Sequence, residues 1–553
     1  MISRKLTIIL FSAVVLLAAV LRFYDLGKNP PGINLDEAAI GWNAYSILKT
    51  GRDEYGQFLP LVFRSLDDYK PPLYIYLTVP AEAVLGMTEF AVRLPSAILG
   101  VGAVVLTFFL AREIFREERD RATLFGLLSA FILAISPWHL HFTRTAYETG
   151  SCAFFTAGGL LFFFVGLRKK RWFFFALSAV FFGLELYLYQ AAKVFVPLLL
   201  FSLFCFYFRE IKNNLRLFIP QALIIFVLAL PVLYQSTTLA GQMRFLGTSV
   251  FQDPKLHNIN LSYQRDDWFR RDRISAAVLH PEVLSYASDV LWGYFSHLSP
   301  NFFFSGGNGS KVDYVSNMGL LYYWEMPFLL SGLFYLYKAK NKKPAWLLTA
   351  WMLAAPVPAS VTIGVPSSIR TAVFLPSLQI IGAYGLVNFT AMVKKNYPRF
   401  LPVFVAGLFG VVTFSLYFYL HMYYIHAPRQ NSKIWYYGYR QIAEDSAKLA
   451  PKYNKIIVSN TLDQPLNFWL FFLKYDPKTY LTVDGGTISG GFKEDRNHFS
   501  KYYFKPVSWD ELKSQPGILV ITVAGDLPKE VPVLKTYHYL DGRPSVIMAA
   551  TNP

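Results

Sequence analysis

Gly32-Ile33-Asn34-Leu35-Asp36-Glu37 follows the first apolar segment of the chain. The stretch it opens runs through Tyr69-Lys70-Pro71-Pro72-Leu73-Tyr74 and closes at Arg93-Leu94-Pro95-Ser96. Two adjacent carboxylates just outside a membrane helix cost free energy to hold there, so their presence needs a reason. From Ala38 to Leu48 the apolar residues Ile40, Ala44, Ile47 and Leu48 recur at helical spacing, and Gly51 follows as the expected cap. Asp36 and Glu37 then occupy the first helical turn, where the helix dipole favours anions. Capping alone would explain the pair, so the rest of the chain has to decide between capping and chemistry.

Around this stretch the composition is that of a membrane protein. Of 553 residues, 54% are hydrophobic and 17% aromatic, beyond the usual range of a soluble globular chain. Eleven apolar segments read as spans: 6–22, 93–111, 122–137, 150–167, 172–188, 191–208, 217–234, 318–337, 344–362, 371–390 and 400–421. The first follows Arg4 and Lys5 without a small-residue cleavage site and is expected to stay as an anchor.

Lysine and arginine set the expected orientation. Six short segments hold 20 basic residues, among them Arg112, Arg116, Arg119 and Arg121, Arg168 to Arg171, and Lys338 to Lys343. The three short loops on the other side carry one each: Arg144, Lys193 and Arg370. This positive-inside asymmetry puts the amino terminus in the cytoplasm and, with an odd span count, the carboxyl terminus outside. With five acids beside them, the inner segments carry +15 of the net charge of +17. The basic balance therefore reports topology, and no nucleic-acid partner is expected.

Leu73 to Leu85 is apolar but short for a crossing, and is expected to lie in the outer interface with residues 23–92 wholly external. A membrane module is thus expected over residues 1–421, with a second external loop at 235–317 that includes the Gly/Asn-rich run from Ser305 to Ser310. Residues 422–553 are polar and long enough for a domain of their own. A helical pattern over Ile434–Leu449, a strand-like run at Lys455–Ser459, a helix-like segment at 464–474 and a strand at Gly517–Val523 predict a small α/β unit. Cys152 and Cys205 fall in separate spans, and no disulfide is expected.

Near span ends the outer face collects Asp36, Glu37, Lys70, Arg93, Arg144, Glu148 and Arg370. Acids and fixed cations together suit transfer from a phosphate leaving group. A carboxylate takes a proton from an attacking hydroxyl, while Arg and Lys hold the phosphate as charge builds on it. Any one of these cations alone reads better as a snorkelling interfacial residue.

These motifs, together with Ser136-Pro137-Trp138-His139 and the following Arg144 and Glu148, resemble the bacterial relatives of the protein O-mannosyltransferases and the lipid A aminoarabinose transferases. Those are integral-membrane glycosyltransferases of the GT-C fold that use a polyprenyl-phosphate sugar. The resemblance implies an α-helical polytopic membrane protein of about eleven spans with a C-terminal extracytoplasmic α/β domain. It also implies sugar transfer to a hydroxyl of a protein or glycolipid at the outer face of the cytoplasmic membrane, with inversion at the anomeric carbon. Asp36 is then the expected base with Glu37 beside it, and Lys70, Arg144 and Arg370 the expected contacts to the donor phosphate. Tyr69, Arg93, His141 and Glu148 are expected around the donor and acceptor. In the aminoarabinose enzymes an acidic residue precedes the lysine and joins a metal site. Here that position is Tyr69, and no obligatory metal or other cofactor is expected.

Two other readings remain open on the sequence. A polyprenyl-lipid transporter or flippase would place ionisable groups at mid-membrane depth, whereas Glu148, Glu185 and Glu325 all border span ends. A polysaccharide polymerase or ligase would use a pyrophosphate-linked donor, and those proteins lack the acidic pair with Lys-Pro-Pro.

Overall fold

A computed structural model of the chain describes residues 3–65, 68–270, 274, 279–306, 313–488 and 498–551. Most of the Gly/Asn-rich run at 305–310 lies outside those residues. The chain divides into two compact units. One comprises Met1–Arg22, Ile98–Thr143 and Glu148–Tyr419; the other comprises Phe23–Ala97, Arg144–Tyr147 and Leu420–Pro553.

The first unit is helical. Each of the eleven apolar segments read from the sequence contains a helix. Among the described residues five are long and apolar enough to cross a membrane: Arg4–Phe23, Glu89–Ile114, Glu148–Lys169, Leu215–Ser236 and Pro398–Gln430. A sixth forms if Arg121–Ile135 and Pro137–Thr143, bent by 60° at their junction, count as one span. The bend falls at Ser136-Pro137, where proline ends the backbone ladder. Past it, Trp138 donates its backbone N–H to Leu320 O at 3.1 Å and its indole N–H to Ser368 O at 3.2 Å. The first of these bonds satisfies a backbone N–H that a straight helix would have paired internally.

Two spans begin later than their hydropathy predicts. The expected segment 318–337 is helical only from Glu325, because residues 318–324 form turns; Tyr322 in them donates its hydroxyl to Ile135 O at 3.0 Å. The segment expected at 371–390 is helical from Ser377, after a short 3-10 turn at Ala372–Phe374. These two helices pack closely. A Cβ on Gly385 would stand 1.9 Å from Phe328 O, so only glycine permits the approach. Arg22, near the end of the first helix, is fully buried; it reaches His139 Nδ1 at 2.6 Å and donates to Ala18 O and Ala134 O.

The second unit is built on a six-stranded mixed sheet. With β1 (Phe63–Ser65) and β2 (Asp68–Lys70) forming a separate hairpin, its strands are β3 (Lys455–Ser459), β4 (His498–Phe499), β5 (Tyr502–Lys505), β6 (Ile518–Val523), β7 (Val533–His538) and β8 (Pro544–Ala550). Their order is β4-β5-β3-β6-β8-β7, with β3 parallel to both β5 and β6. Ile456, Ile457, Val458, Leu519, Val520 and Ile521 are all fully buried, the signature of central strands covered on both faces. The sequence reading located β3 and β6. It missed β7, five of whose six residues are exposed, because an outer strand leaves little apolar patterning.

The helix expected from Ile434 begins instead at Tyr439, after Gly438 in a left-handed conformation. Trp435 precedes it and is buried. The helix expected at 464–474 spans Pro465–Phe472. Leu73–Leu85 is helical as read and packs against Leu35–Thr50; Tyr74 donates its hydroxyl to Val92 O at 3.0 Å.

Candidate active site

The helix Leu35–Thr50 positions both carboxylates. Asn34 is its N-cap in extended backbone, and its side chain accepts from Glu37 N at 2.8 Å. Glu37 Oε2 in turn accepts from Asn34 N at 3.1 Å, closing a capping box. Gly51 closes the other end in the left-handed conformation. Because consecutive helical residues point about 100° apart, the two acids face different surroundings.

Glu37 turns inward and is fully buried. Arg93 grips it in a fork, Nε to Oε1 at 2.9 Å and Nη2 to Oε2 at 2.8 Å. Ala146 N also donates to Oε1 at 2.9 Å. The rest of the Arg93 guanidinium donates to Leu26 O, Pro30 O and Gly32 O, and lies over the Trp435 ring. A Cβ on Gly32 would meet Trp435 O at 1.9 Å, so the loop can come this close only as glycine. Buried charge is tolerable here because nearly every lone pair and N–H has a partner.

Asp36 turns outward. Its side chain is 45% exposed, and Oδ1 accepts from Lys70 Nζ at 2.5 Å. Lys70, only 6% exposed, ends β2, whose register pairs Phe63 with Lys70 and Arg64 with Tyr69. Pro71 follows and restricts Lys70 to extended backbone, which presents its side chain from the strand end. Tyr69, next to it, is half-buried.

Arg144 belongs to the same unit and is 1% exposed. Its Nε donates to the Tyr423 hydroxyl at 3.1 Å and Nη2 to Asn29 O at 3.1 Å, while the guanidinium lies over the rings of Tyr423 and Tyr424. The tyrosine pair was not singled out in the sequence, which carries no local sign that residues 279 positions apart meet. The capping box has a local signal, Asn34-x-x-Glu37, although the sequence reading took only the acidic pair as a possible capping feature.

His141, Glu148 and Arg370 lie in the first unit. His141 is buried at the end of Pro137–Thr143, its ring edge-on to Phe142. Glu148 opens the 3-10 turn Glu148–Ser151 and is nearly buried. Arg370 donates to Thr362 Oγ1 at 2.6 Å and Ile363 O at 2.5 Å. Among the described residues no three His, Cys, Asp or Glu side chains come together as metal ligands.

One further carboxyl escaped the sequence reading. Glu54 is fully buried and accepts from Asn43 Nδ2 at 3.1 Å and from Thr487 Oγ1 at 3.0 Å. Burial pushes its pKa up to about 7, against the lowering effect of those two hydrogen bonds.

Comparison with known proteins identifies the fold. In a chain of Cupriavidus metallidurans ArnT, solved bound to undecaprenyl phosphate, the whole of both chains superposes with a TM-score of 0.56 at 14% identity. The fold is that of the GT-C membrane glycosyltransferases. A second GT-C structure, the oligosaccharyltransferase AglB of Archaeoglobus fulgidus in complex with an inhibitory peptide and a dolichol-phosphate, matches 84% of this chain and 63% of its own at TM-score 0.53 and 14% identity. Residues 69–235 match the family described as dolichyl-phosphate-mannose-protein mannosyltransferase. The candidate mannosyltransferase YkcB of Bacillus subtilis (strain 168) is 26% identical over 204 residues, 36% of this chain and 27% of its own. An uncharacterised protein of Aquifex aeolicus (strain VF5) is 28% identical over 171 residues, 31% of this chain and 32% of its own. The chain thus matches about a third or less of these two relatives' length. With its apolar helices and this fold, the chain is a multi-pass membrane protein.

Proposed function

We propose that this protein transfers a sugar from a polyprenyl-phosphate donor to a hydroxyl of a protein or glycolipid acceptor, inverting the anomeric carbon, at the outer face of the cytoplasmic membrane. The observation that carries the reading is the pairing of an exposed Asp36 with a buried Lys70 at the start of one capped helix. Lys70 supplies a fixed positive charge for the donor phosphate. Once the phosphate takes the ammonium, Asp36 is left free to accept the proton of the attacking hydroxyl. The acceptor oxygen bonds to the anomeric carbon as the bond from that carbon to the phosphate oxygen breaks, and the leaving phosphate keeps the electron pair.

Glu37 has a holding role in this scheme. Its lone pairs are occupied by Arg93, Asn34 N and Ala146 N, so it fixes the helix start from which Asp36 projects. Arg144 and Arg370 as phosphate contacts, and Glu148, His141 and Tyr69 toward donor or acceptor, are roles implied by the family resemblance of the sequence. The match of residues 69–235 and the GT-C fold support the donor class.

Purified protein given radiolabelled polyprenyl-phosphate sugars and membranes should move label into the protein or glycolipid fraction. Use of a pyrophosphate-linked donor alone would instead make the protein a polymerase or ligase. Orientation is tested on intact cells: a cysteine at exposed Lys513 should react with an impermeant reagent, and one at Asn341 should not.

A further inference from the structure

Four of the six basic segments that the sequence places on the cytoplasmic side line one cleft in the first unit, of about 1250 Å³. It lies where the ends of Glu89–Ile114 and Cys152–Lys169 meet the starts of Arg119–Ile135, Trp172–Glu185 and Lys343–Ala354. Its polar wall holds five cations, Arg112, Arg116, Arg119, Arg168 and Lys343, against three carboxylates, Glu113, Glu117 and Glu210.

Those carboxylates are largely committed. Glu113 Oε1 holds Arg168 Nε at 2.6 Å and Arg116 Nη1 at 3.9 Å, Glu210 pairs with Lys343, and Glu117 accepts from Asn341. Arg112 and Arg119 are exposed and make no ion pair among the described residues; Arg112 rests over its own helix's Phe108. The lining also includes the apolar side chains of Phe109, Phe162, Val165 and Phe174. A cleft at helix ends whose lining combines cations with aromatic side chains matches a headgroup with its chain attached rather than a small hydrophilic ion. Its volume exceeds the roughly 300–1000 Å³ of ordinary small-molecule sites.

We propose that this cleft binds an anionic glycerophospholipid, its phosphate between Arg112 and Arg119 and an acyl chain along Phe109, Phe162 and Phe174. The ion pairs of Glu113 and Glu210 tie the helix ends together and keep the cleft open. Asp36 and Lys70 do not line it, and its occupancy does not depend on the transfer reaction.

The test is native mass spectrometry of the purified full chain, titrated with phosphatidylglycerol or with phosphatidylcholine. Phosphatidylglycerol should be retained preferentially. Arg112→Gln with Arg119→Gln should weaken that retention about 30-fold, two basic contacts being lost. Lys394→Gln with Lys395→Gln, exposed residues of another basic segment that do not line the cleft, should leave it unchanged. Equal loss in both double variants would mean diffuse attraction to basic surface and would overturn the site. Displacement of the lipid by millimolar inorganic phosphate would show a free-anion site and overturn the lipid assignment. Because the arginine variant could misfold, a photoactivatable phosphatidylglycerol should also be applied to the wild-type protein. Its adducts should map to residues 109–123 and 161–174, and adducts confined to other helices would refute the proposal.

Discussion

Lys70 Nζ stands 2.5 Å from Asp36 Oδ1, with the lysine almost wholly buried and the carboxylate nearly half exposed. The asymmetry matters for chemistry. Water reaches the acid directly, while the ammonium is held buried at a strand end. In the proposed reaction one charge guards the other until donor phosphate separates them.

Asp36→Asn keeps the shape of the side chain and removes its capacity to accept a proton. Sugar transfer should fall about 10²–10⁴-fold. Donor binding and thermal stability should stay close to wild type, because a partly exposed ion pair contributes about 0–1 kcal/mol. Wild-type turnover in Asp36→Asn, measured as label transferred per minute, would exclude the base assignment.

Lys70→Ala should act on binding. Loss of a charge-assisted hydrogen bond to phosphate weakens donor affinity about 10–100-fold. The measurement is binding of polyprenyl phosphate to purified protein, which separates this effect from loss of turnover. Unchanged affinity would remove Lys70 from the donor site.

Glu37→Gln should behave differently from Asp36→Asn although the residues are neighbours. It leaves Arg93 buried with its charge uncompensated, at a cost of about 3–5 kcal/mol. The melting temperature should fall clearly, and activity should fall with the folded fraction. Adding Arg93→Met should restore part of the stability, since no lone charge then remains, although Leu26 O, Pro30 O and Gly32 O lose their donor. A melting temperature equal to wild type in Glu37→Gln would contradict the holding role.

Glu54 predicts a pH dependence of stability. Its folded pKa of about 7 lies above the unfolded value, so between roughly pH 4.5 and 7 the folded state binds more protons than the unfolded. Its contribution is therefore fully present below that window and is lost as pH rises through it, by about 3 kcal/mol in all. Glu54→Gln keeps an acceptor for Asn43 and cannot ionise. The stability gap between wild type and this variant should widen from pH 5 to pH 8 in favour of the variant, read by thermal unfolding. A gap that does not move with pH would show that Glu54 does not titrate there.

The sequence alone determined the helical membrane class, the places of the eleven apolar segments, the helix at Leu73–Leu85 and the strands at 455–459 and 518–523. All of these follow from local hydropathy and period, which the chain carries wherever it folds. It also brought Asp36, Glu37, Lys70, Arg93 and Arg144 to notice, because charges are scarce beside apolar segments. Only tertiary structure separated Asp36 from Glu37. That separation depends on Arg93, 56 residues away, and on Ala146, 109 residues away, choosing one carboxylate of an adjacent pair. The Tyr423 and Tyr424 cradle for Arg144, the late starts at Glu325 and Tyr439, and the contact of Glu54 with Thr487 were equally out of reach. Each arises where distant segments satisfy one another's buried polar groups, and no local pattern in the chain encodes which segments will meet.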